Sequence, residues 1–448
     1  MDPLGSLLLT DLYQLAMAQA YLEEGANGTA VFELFVRRLP SCRQFLMTAG
    51  LDQALAFLDR SHFTAAELDW LRASERFSPR LLDYLAGFRF TGDVDAMPEG
   101  TVFFADEPIL RVTAPLIEAQ LVETRLLNLV HFQTIVASKA ARLVLAAKGR
   151  TLIDFGLRRA HGADAGLLAA RAAYLAGFDG TATLLAEPLF GIPAYGTMAH
   201  SFIQVHDSEA EAFQRFARAR PKSLVLLIDT YDTEAGARKV VELAPQLARE
   251  GITVEGVRLD SGDLLALSRR VRSILDEGGL EGVRIFASGG LDEERIAALL
   301  TAGAPIDGFG IGTSLTTASD APALDCAYKL QEYAGRPRRK RSTGKATWPG
   351  RKQVWRRYDA AGTMAGDVVS VEGDTRPGEP LLRPVMRGGR RVDPAPDLTT
   401  ARAHAAAELA RLPAALRALD GRGSYPVEIA PALRALAEAV DERQAATR

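Results

Sequence analysis

The feature that most constrains the fold is an alternation, from residue 151 to residue 311, of short apolar runs with stretches whose apolar residues recur at helical spacing. This pattern is typical of strand–helix–strand units and predicts an α/β fold with a mainly parallel sheet or barrel. Six or seven such units predict an irregular (β/α) barrel rather than a complete one. The candidate strands are residues 152–155, 192–195, 224–228, 253–259, 283–287 and 306–311, with 180–184 as a weaker one.

Polar and glycine residues stand at the ends of most of these runs, where a buried core does not need them. A single strand that ends in aspartate is usually followed by a helix that this aspartate caps. Five such ends together indicate an active site, because the carboxyl ends of parallel strands lie at one edge of a sheet or barrel. The residues concerned are Arg158, Arg159, His200, Asp229, Asp232, Asp260, Asp263, Ser288, Gly289, Gly290, Gly310, Gly312 and Thr313.

The residue types at this edge suit a phosphorylated substrate. Glycine-rich turns expose backbone N–H groups that can bind phosphate, and the helices that follow add their dipoles. Asp260 can hold ribose hydroxyls or a Mg²⁺ ion that carries pyrophosphate. Arg158, Arg159 and Arg258 can bind phosphate or a carboxylate, or stack on an aromatic ring. The combination predicts a phosphoribosyl-transfer site, where positioning and electrostatics stabilise a cationic anomeric carbon.

The histidine at position 200 admits two interpretations. It is either a structural histidine or a nucleophile that accepts a phosphoryl group from a bound nucleotide. A metal site shared with His206 is disfavoured, because no third ligand lies nearby in the sequence. We therefore predict no protein-bound metal cluster.

The two ends of the chain show no comparable alternation. A helix is predicted over residues 7–22, with Thr10 and Asp11 as caps, and on periodicity alone its Tyr13 and Tyr21 are packing residues. Further predictions are strands at 29–36, 88–94 and 101–112, helices at 51–58 and 65–71, and a long helical stretch at 117–147. A mixed α+β domain is expected before the barrel, and the Ala-rich region 397–419 is expected to complete it by packing.

Composition excludes several classes of protein. The chain has 53 basic and 56 acidic residues, and its net charge of −3 gives no reason to expect a nucleic-acid or membrane surface. Cys42 and Cys326 are too few for a disulfide framework and are interpreted as core thiols. No run of about 18 apolar residues occurs, and the start of the sequence lacks a basic segment before an apolar one. A cytoplasmic protein is expected.

A strongly basic segment lies between Arg336 and Arg357, where ten residues are Lys or Arg. Taken alone it is compatible with a localisation signal or a nucleic-acid patch. Its Gly344-Lys345 pair resembles a Walker loop only superficially, because Arg339 occupies the position of the first glycine. A loop that binds a polyanionic small substrate fits equally well.

Several motifs, in order along the chain, resemble those of nicotinate phosphoribosyltransferases, a type II phosphoribosyltransferase family. The resemblance spans about residues 10–356 and implies an irregular α/β barrel (residues 136–330) with an accessory domain built from residues 1–135 and 331–448. The motifs are Thr10-Asp-Leu-Tyr-Gln-Leu-Ala-Met-Ala, Phe155-Gly-Leu-Arg-Arg, Gly196-Thr-Met-Ala-His-Ser-Phe, Val257-Arg-Leu-Asp-Ser-Gly-Asp, Gly310-Ile-Gly-Thr-Ser and Lys340-Arg-Ser-Thr-Gly-Lys-Ala-Thr-Trp-Pro-Gly-Arg-Lys-Gln-Val.

The resemblance also implies a reaction. Nicotinate and phosphoribosyl pyrophosphate, with Mg²⁺, would give nicotinate mononucleotide and pyrophosphate in NAD salvage. ATP hydrolysis would be coupled through a phosphohistidine at His200, which implies a ligase-type classification. A homodimer with shared active sites is implied as well.

Roles follow residue by residue from the matching motifs. Tyr13 would reach across the dimer and sandwich the pyridine ring against Phe155, with Arg258 and Thr197 close to the nicotinate. Arg158 and Asp260 would hold phosphoribosyl pyrophosphate. Its 5′-phosphate would be bound by Ser288, Gly289, Gly290, Gly310, Gly312 and Thr313. Nicotinamide-using relatives carry an aspartate at the position of Ala182, so alanine here favours the acid, whose carboxylate an aspartate would repel.

Three rival interpretations stay open at this point. The first is a phosphoribosyltransferase for nicotinamide or quinolinate, the second of which would demand a more basic pocket. Another is a catalytically silent relative that senses nucleotide, although His200 and Asp260 are both present. The third is a nucleic-acid protein built on the basic segment, with affinity that falls steeply as salt rises.

Overall fold

The computed structural model describes residues 4–394, 396–421 and 423–446. The chain forms two compact units, of which the first combines Met1–Ser138 with Ala323–Arg448 and the second is Lys139–Pro322. Residues 1–3, on which the expectation about the start of the chain partly rests, lie outside the described residues.

The second unit contains a six-stranded sheet in which every strand pair is parallel. The predicted parallel sheet is therefore confirmed, and it curls into a half-barrel. From one edge to the other the strands are Gly180–Thr181, Thr151–Asp154, Gly308–Ile311, Arg284–Ala287, Val254–Leu259 and Leu224–Leu227.

Helices connect these strands, and three of them begin at aspartates that accept backbone N–H groups of the first turn. Asp232 caps one helix, Asp263 the next and Asp292 the third. These three carboxylates stabilise the starts of their helices. The helices of this unit are Leu157–Arg159 (3₁₀), Ala163–Ala176, Ala186–Phe190, His200–Gln204, Glu209–Ala219, Thr233–Arg249, Leu264–Glu277, Glu293–Thr301 and Thr313–Thr316.

The predicted strand at residues 192–195 is wrong. Only an isolated parallel bridge between Thr181 and Ala194 forms there. Pro193 has no backbone N–H to donate, so the run cannot extend a ladder along this edge. The expectation that His200 lies just past a strand fails with it, because His200 is the first residue of the helix His200–Gln204.

The first unit is built around an antiparallel sheet of seven strands, with a four-stranded and a two-stranded sheet beside it in the same unit. The predicted strand at 29–36 is confirmed as Thr29–Val36, whereas the one at 88–94 shifts to Asp93–Ala96. The strands are Thr29–Val36, Leu46–Met47, Asp93–Ala96, Val102–Phe103, Pro108–Pro115, Cys326–Tyr333, Arg336–Pro337, Lys352–Tyr358, Met364–Val371, Glu379–Pro380, Arg383–Arg387, Arg390–Arg391 and Val427–Ile429.

The predicted cap position at Asp11 is confirmed, and the N-terminal helix begins at Leu12. Residues 7–10 share its apolar spacing but lie before its first turn. The long helix Glu123–Ala147 carries residues of both units. By length and composition it could cross a membrane, but 78% of its most apolar window is buried, as in the core helix of a globular fold. The remaining helices of the first unit are Leu12–Glu24, Leu51–Asp59, Ala65–Ala73, Pro79–Ala86, Leu116–Leu121, Leu398–Arg411, Ala414–Arg417 and Pro431–Ala446.

A fully buried arginine joins distant parts of the first unit. Arg356 bonds Asp367 at 3.1 and 2.7 Å and Glu408 at 2.8 Å, and it also donates to the Val102 carbonyl at 2.8 Å. Burial, and then the charge of Asp367, raise the pKa of the neighbouring Glu107 well above its usual range. The helix Leu398–Arg411 thus contributes to the core through Glu408.

Candidate active site

A cleft of about 610 Å³ opens where strands of the parallel sheet end. It brings together seven of the residues predicted from the sequence: Phe155, Arg158, Ala182, Thr197, His200, Arg258 and Asp260. Leu157, Gly196, Met198, Ala199 and Ser201 complete the lining.

The guanidinium of Arg258, in the strand Val254–Leu259, is the main positive group beside the aromatic wall of the cleft. It donates to the Thr197 hydroxyl at 2.6 Å and to the Met198 carbonyl at 3.1 Å, and its Cζ lies 5.9 Å from the centroid of the Phe155 ring. Burial lowers the pKa of Arg258, an effect that the charge of Asp260 opposes. Its Nε is buried without a hydrogen-bond partner in the described part of the chain. The arrangement suits an aromatic ring that carries a carboxylate.

The ring of Phe155 rests on the backbone of the neighbouring strand. A Cβ atom on Gly310 would lie only 2.4 Å from the Phe155 ring, so this position must be glycine. The backbone N–H of Phe155 donates to the Ile311 carbonyl at 2.8 Å. Gly312 faces the backbone of Phe155 and precedes the short helix Thr313–Thr316. The predicted glycines therefore lie beside Phe155, just behind the cleft lining.

The carboxylate of Asp260 connects the cleft with the glycine turn that follows the next strand. The Ser288 hydroxyl donates to Asp260 Oδ1 at 2.5 Å. Gly289 has φ of +89°, and a Cβ there would lie 2.1 Å from the Asp260 carbonyl oxygen. Gly290, the last residue of the turn, accepts through its carbonyl from Arg295 at 3.3 Å. The turn is thereby held against Asp260.

The two ring nitrogens of His200 have different neighbours. Nδ1 forms a hydrogen bond of 3.0 Å with the Thr230 hydroxyl, and Nε2 lies 3.8 Å from Asp260 Oδ2. The imidazole is 38% exposed. A histidine that is both oriented and open to the cleft can act as a nucleophile or proton carrier.

Sequence reasoning did not assign roles to Asp229 and Thr230, which support the site. Asp229 Oδ2 accepts from the Asp260 backbone N–H at 2.8 Å and from the Ser261 hydroxyl at 2.6 Å. Its Oδ1 is buried and has no hydrogen-bond partner among the described residues. The signal was present, because Asp229 follows the strand Leu224–Leu227 much as Asp260 follows the strand beside it.

Two predicted participants lie in the first unit. Tyr13 is on the helix Leu12–Glu24 and is 48% exposed. Within the basic segment, residues 341–346 form an exposed loop whose base is closed by a hydrogen bond from the Lys340 N–H to the Thr347 hydroxyl at 3.1 Å. A strand, Lys352–Tyr358, follows this loop instead of the helix that a Walker loop requires. The superficial likeness of Lys345 to a Walker lysine therefore has no structural counterpart.

Within the described ranges, no group of three or more His, Cys, Asp or Glu residues is arranged to hold a metal ion. Mg²⁺ typically uses one or two carboxylates together with substrate phosphates and water. Asp260 and the unpartnered Oδ1 of Asp229 provide such a donor set. The residues present thus fit a Mg²⁺ ion that a pyrophosphate brings with it.

Comparison with protein families identifies three matching regions along the chain. Residues 8–131 match the nicotinate phosphoribosyltransferase N-terminal domain. Residues 151–336 match the nicotinate phosphoribosyltransferase family, and residues 375–437 match the nicotinate phosphoribosyltransferase C-terminal domain.

Individual proteins match over nearly the whole chain. Nicotinate phosphoribosyltransferase pncB2 of Mycobacterium tuberculosis is 54% identical over 424 residues, which cover 94% of this chain and 91% of that protein. Nicotinate phosphoribosyltransferase of Bos taurus is 33% identical, with 98% and 97% covered. The crystal structure of human nicotinic acid phosphoribosyltransferase superposes with a TM-score of 0.86 at 31% identity and covers 96% of this chain and 100% of that one.

Proposed function

Because the chain belongs to the nicotinate phosphoribosyltransferase family, we propose that its cleft transfers a phosphoribosyl group to nicotinate and couples this transfer to ATP hydrolysis through His200. The products are nicotinate mononucleotide and pyrophosphate, which places the enzyme in NAD salvage. Its ATP coupling corresponds to a ligase-type classification.

The observation that carries the proposal is the convergence of seven predicted residues, from separate stretches of chain, on one cleft. The aromatic wall, the cationic group and the carboxylate that phosphoribosyl transfer needs all lie there. The neighbouring glycine turns fit the phosphates.

The base is recognised at the Phe155 end of the cleft. Phe155 provides a face for the pyridine ring, and Arg258 provides a donor pair for the nicotinate carboxylate. Thr197, held by Arg258 at 2.6 Å, lies beside it. Ala182 is small and exposed, so it leaves the carboxylate without an acidic neighbour at this position.

Arg158 and Asp260, which also line the cleft, hold the phosphoribosyl group. Asp260 and Asp229 would hold Mg²⁺, which supplies positive charge to the departing pyrophosphate when it is bound. The backbone N–H groups of Gly289, Gly290, Gly312 and Thr313 bind the 5′-phosphate. The Ser288 N–H instead donates to the Leu259 carbonyl at 2.8 Å, and Gly310 is buried beneath the Phe155 ring. Fixed charges of this kind stabilise a transition state with a cationic anomeric carbon and a departing anion.

In the coupled step, a nitrogen of His200 attacks the γ-phosphorus of ATP, the bond to the bridging oxygen breaks, and ADP leaves. Water later takes the phosphoryl group from the histidine and releases phosphate. The support for this step is the exposed imidazole, oriented by Thr230 and facing Asp260. Hydrolysis of the phosphohistidine favours product release over the reverse reaction.

We expect His200→Ala to abolish ATP stimulation of product formation and to leave most of the basal transfer intact. The measurement is the rate of nicotinate mononucleotide formation with and without ATP, together with ³²P transfer from γ-labelled ATP to the protein. His206→Ala is the matched control, because His206 is outside the cleft lining. Equal loss of both activities in His200→Ala would assign His200 to the transfer step or to folding instead.

The proposal extends to the assembly. A homodimer in which Tyr13 completes the partner's base pocket is supported by exposed apolar side chains near the start of the first unit. In this arrangement the first unit serves as the accessory domain of an irregular barrel. The exposed apolar residues are Leu4, Leu9, Leu12, Tyr13 and Trp70.

A further inference from the structure

A carboxylate that does not line the cleft lies directly behind it. Asp154 is the last residue of the strand Thr151–Asp154 and is only 1% exposed. Its Oδ1 accepts from the Gly156 backbone N–H at 2.8 Å, and its Oδ2 accepts from the Thr181 hydroxyl at 2.7 Å. Both oxygens therefore accept from donors on different segments, one on the loop after Asp154 and one at the end of the strand Gly180–Thr181.

The loops at these two segments carry opposite parts of the base pocket. The loop after Asp154 supplies Phe155, and the loop after Thr181 supplies Ala182. The Ala182 N–H also donates to the Asp154 carbonyl at 2.8 Å. One residue thus fixes the spacing between the aromatic wall and the position that faces the base carboxylate.

The hydroxyl of Thr181 extends this link around Ala182. While it donates to Asp154, it accepts from the Thr183 N–H at 2.9 Å, and Thr181 is fully buried. The hydrogen bonds of Thr181 and Thr183, which flank Ala182, therefore fix the position of Ala182. Loss of either acceptor would free the loop to move.

Burial of this carboxylate is costly, which argues that its position matters. No Lys or Arg pairs with Asp154 in the parts of the chain that the structure describes. Burial raises its pKa to about 6, although the Thr181 and Gly156 hydrogen bonds oppose this rise. An apolar residue at a strand end would avoid the cost of desolvating a charge.

We propose that Asp154 is a positioning residue that holds Phe155 and Ala182 at the spacing that nicotinate requires. This inference rests on the proposed function, because it takes the cleft to be the nicotinate pocket. A displacement of about 1 Å in a substrate-binding group can cost roughly 100-fold in rate, so a link of this kind has a measurable effect.

The test uses Asp154→Asn and Thr181→Val, with Thr181→Ser as the conservative variant. Asparagine offers one acceptor to two donors, and valine removes the Thr181 hydroxyl at nearly constant volume. We expect both to raise the KM for nicotinate roughly tenfold, the factor expected for one lost hydrogen bond to a charged group. The value of kcat should fall less, and Thr181→Ser should keep the KM of the unmodified enzyme.

Asp307→Asn is the matched control. Asp307 also bridges adjacent strands, because its Oδ2 accepts from the Ile285 N–H at 2.8 Å. It precedes the strand Gly308–Ile311 and so lies at the amino-terminal end of the strands, away from the cleft at their carboxyl ends. We expect this variant to leave the KM for nicotinate unchanged. A tenfold rise there as well would show a general loss of fold and overturn the inference.

Hydrogen exchange provides a readout that does not depend on turnover. The amides of Gly156 and Thr183 should exchange faster in Asp154→Asn than in the unmodified protein, because their acceptors are lost or displaced. An unchanged KM together with unchanged exchange in both variants would overturn the inference.

If the unmodified enzyme makes no product from nicotinate, the proposed function fails, and the exchange rates alone decide whether Asp154 positions the two loops. Should Asp154→Asn fail to fold, Thr181→Val decides in its place.

Discussion

At the scale of single residues, Asp260 is the point where the parts of the site meet. Its side chain accepts from Ser288 at 2.5 Å and lies 3.8 Å from His200 Nε2, while its backbone N–H donates to Asp229. A change in its charge alters the environment of His200 and, in the proposed complex, of the ribose and Mg²⁺ as well. Its neighbour Asp263 caps a helix and makes none of these contacts.

We expect Asp260→Asn to lower kcat/KM by at least roughly 100-fold with the fold retained, because electrostatic groups at the reacting centre contribute that much. Asparagine can still accept the Ser288 hydroxyl, so the loss reports charge rather than shape. Steady-state kinetics and a thermal unfolding curve are the measurements. Asp263→Asn should retain activity, since asparagine is an equally good helix cap. Normal turnover by Asp260→Asn would remove Asp260 from the site.

The side chains that gather in the cleft could be predicted because the ends of parallel strands converge whatever the details of packing. Arg258 and Asp260 followed from this rule, whereas the roles of Phe155 and Ala182 came from the family resemblance. Thr230 could not be found, because a lone threonine after an aspartate carries no pattern of its own. Its importance appears only when the helix that begins at His200 is placed beside it.

At the scale of elements, the strand Lys352–Tyr358 shows how neighbouring arginines can differ in importance. Arg356 is fully buried and bonds two carboxylates and a carbonyl. Arg357 points to the other side, where it pairs with Glu428 at 2.8 Å and both side chains are largely accessible, at 39% and 59% exposed. The alternation of a strand therefore separates a core ion pair from a surface one.

We expect Arg356→Met to lower the free energy of unfolding by about 3–5 kcal/mol, because Asp367 and Glu408 would be left buried without their cation. Arg357→Met should change it by no more than about 1 kcal/mol. Urea unfolding of both variants, followed by circular dichroism, measures the difference. Similar small losses in the two variants would show that the Arg356 cluster does not stabilise the first unit.

The spacing of apolar residues predicted strands and helices well where several such residues share one periodicity. The strands Val254–Leu259 and Leu224–Leu227 lie close to the predicted positions. The strand predicted at 192–195 is wrong, because the prediction rested on apolar residues and did not weigh Pro193, which interrupts the ladder. For the helix Leu12–Glu24 the predicted cap Asp11 is confirmed, whereas Leu7 shares the apolar spacing of the helix without belonging to it.

At the scale of the whole molecule, the two ends of the chain meet in one unit. Ala30 pairs with Tyr333, and Val36 pairs with Cys326, in an antiparallel ladder. Pairing between residues about 300 positions apart leaves no local signal, since each strand needs only an apolar face. The parallel sheet is different, because in the sequence its strands follow one another with helices between them. Its existence could therefore be predicted from the alternation of apolar runs and helical stretches.

The base that the enzyme uses tests the proposed nicotinate pocket most directly. Nicotinate, nicotinamide and quinolinate should be offered separately, each with phosphoribosyl pyrophosphate and Mg²⁺, and mononucleotide formation should be measured with and without ATP. Arg258 and the absence of a carboxylate at Ala182 predict product from nicotinate alone, formed faster with ATP. Product from nicotinamide or quinolinate in preference to nicotinate, or from none of the three, would contradict the account.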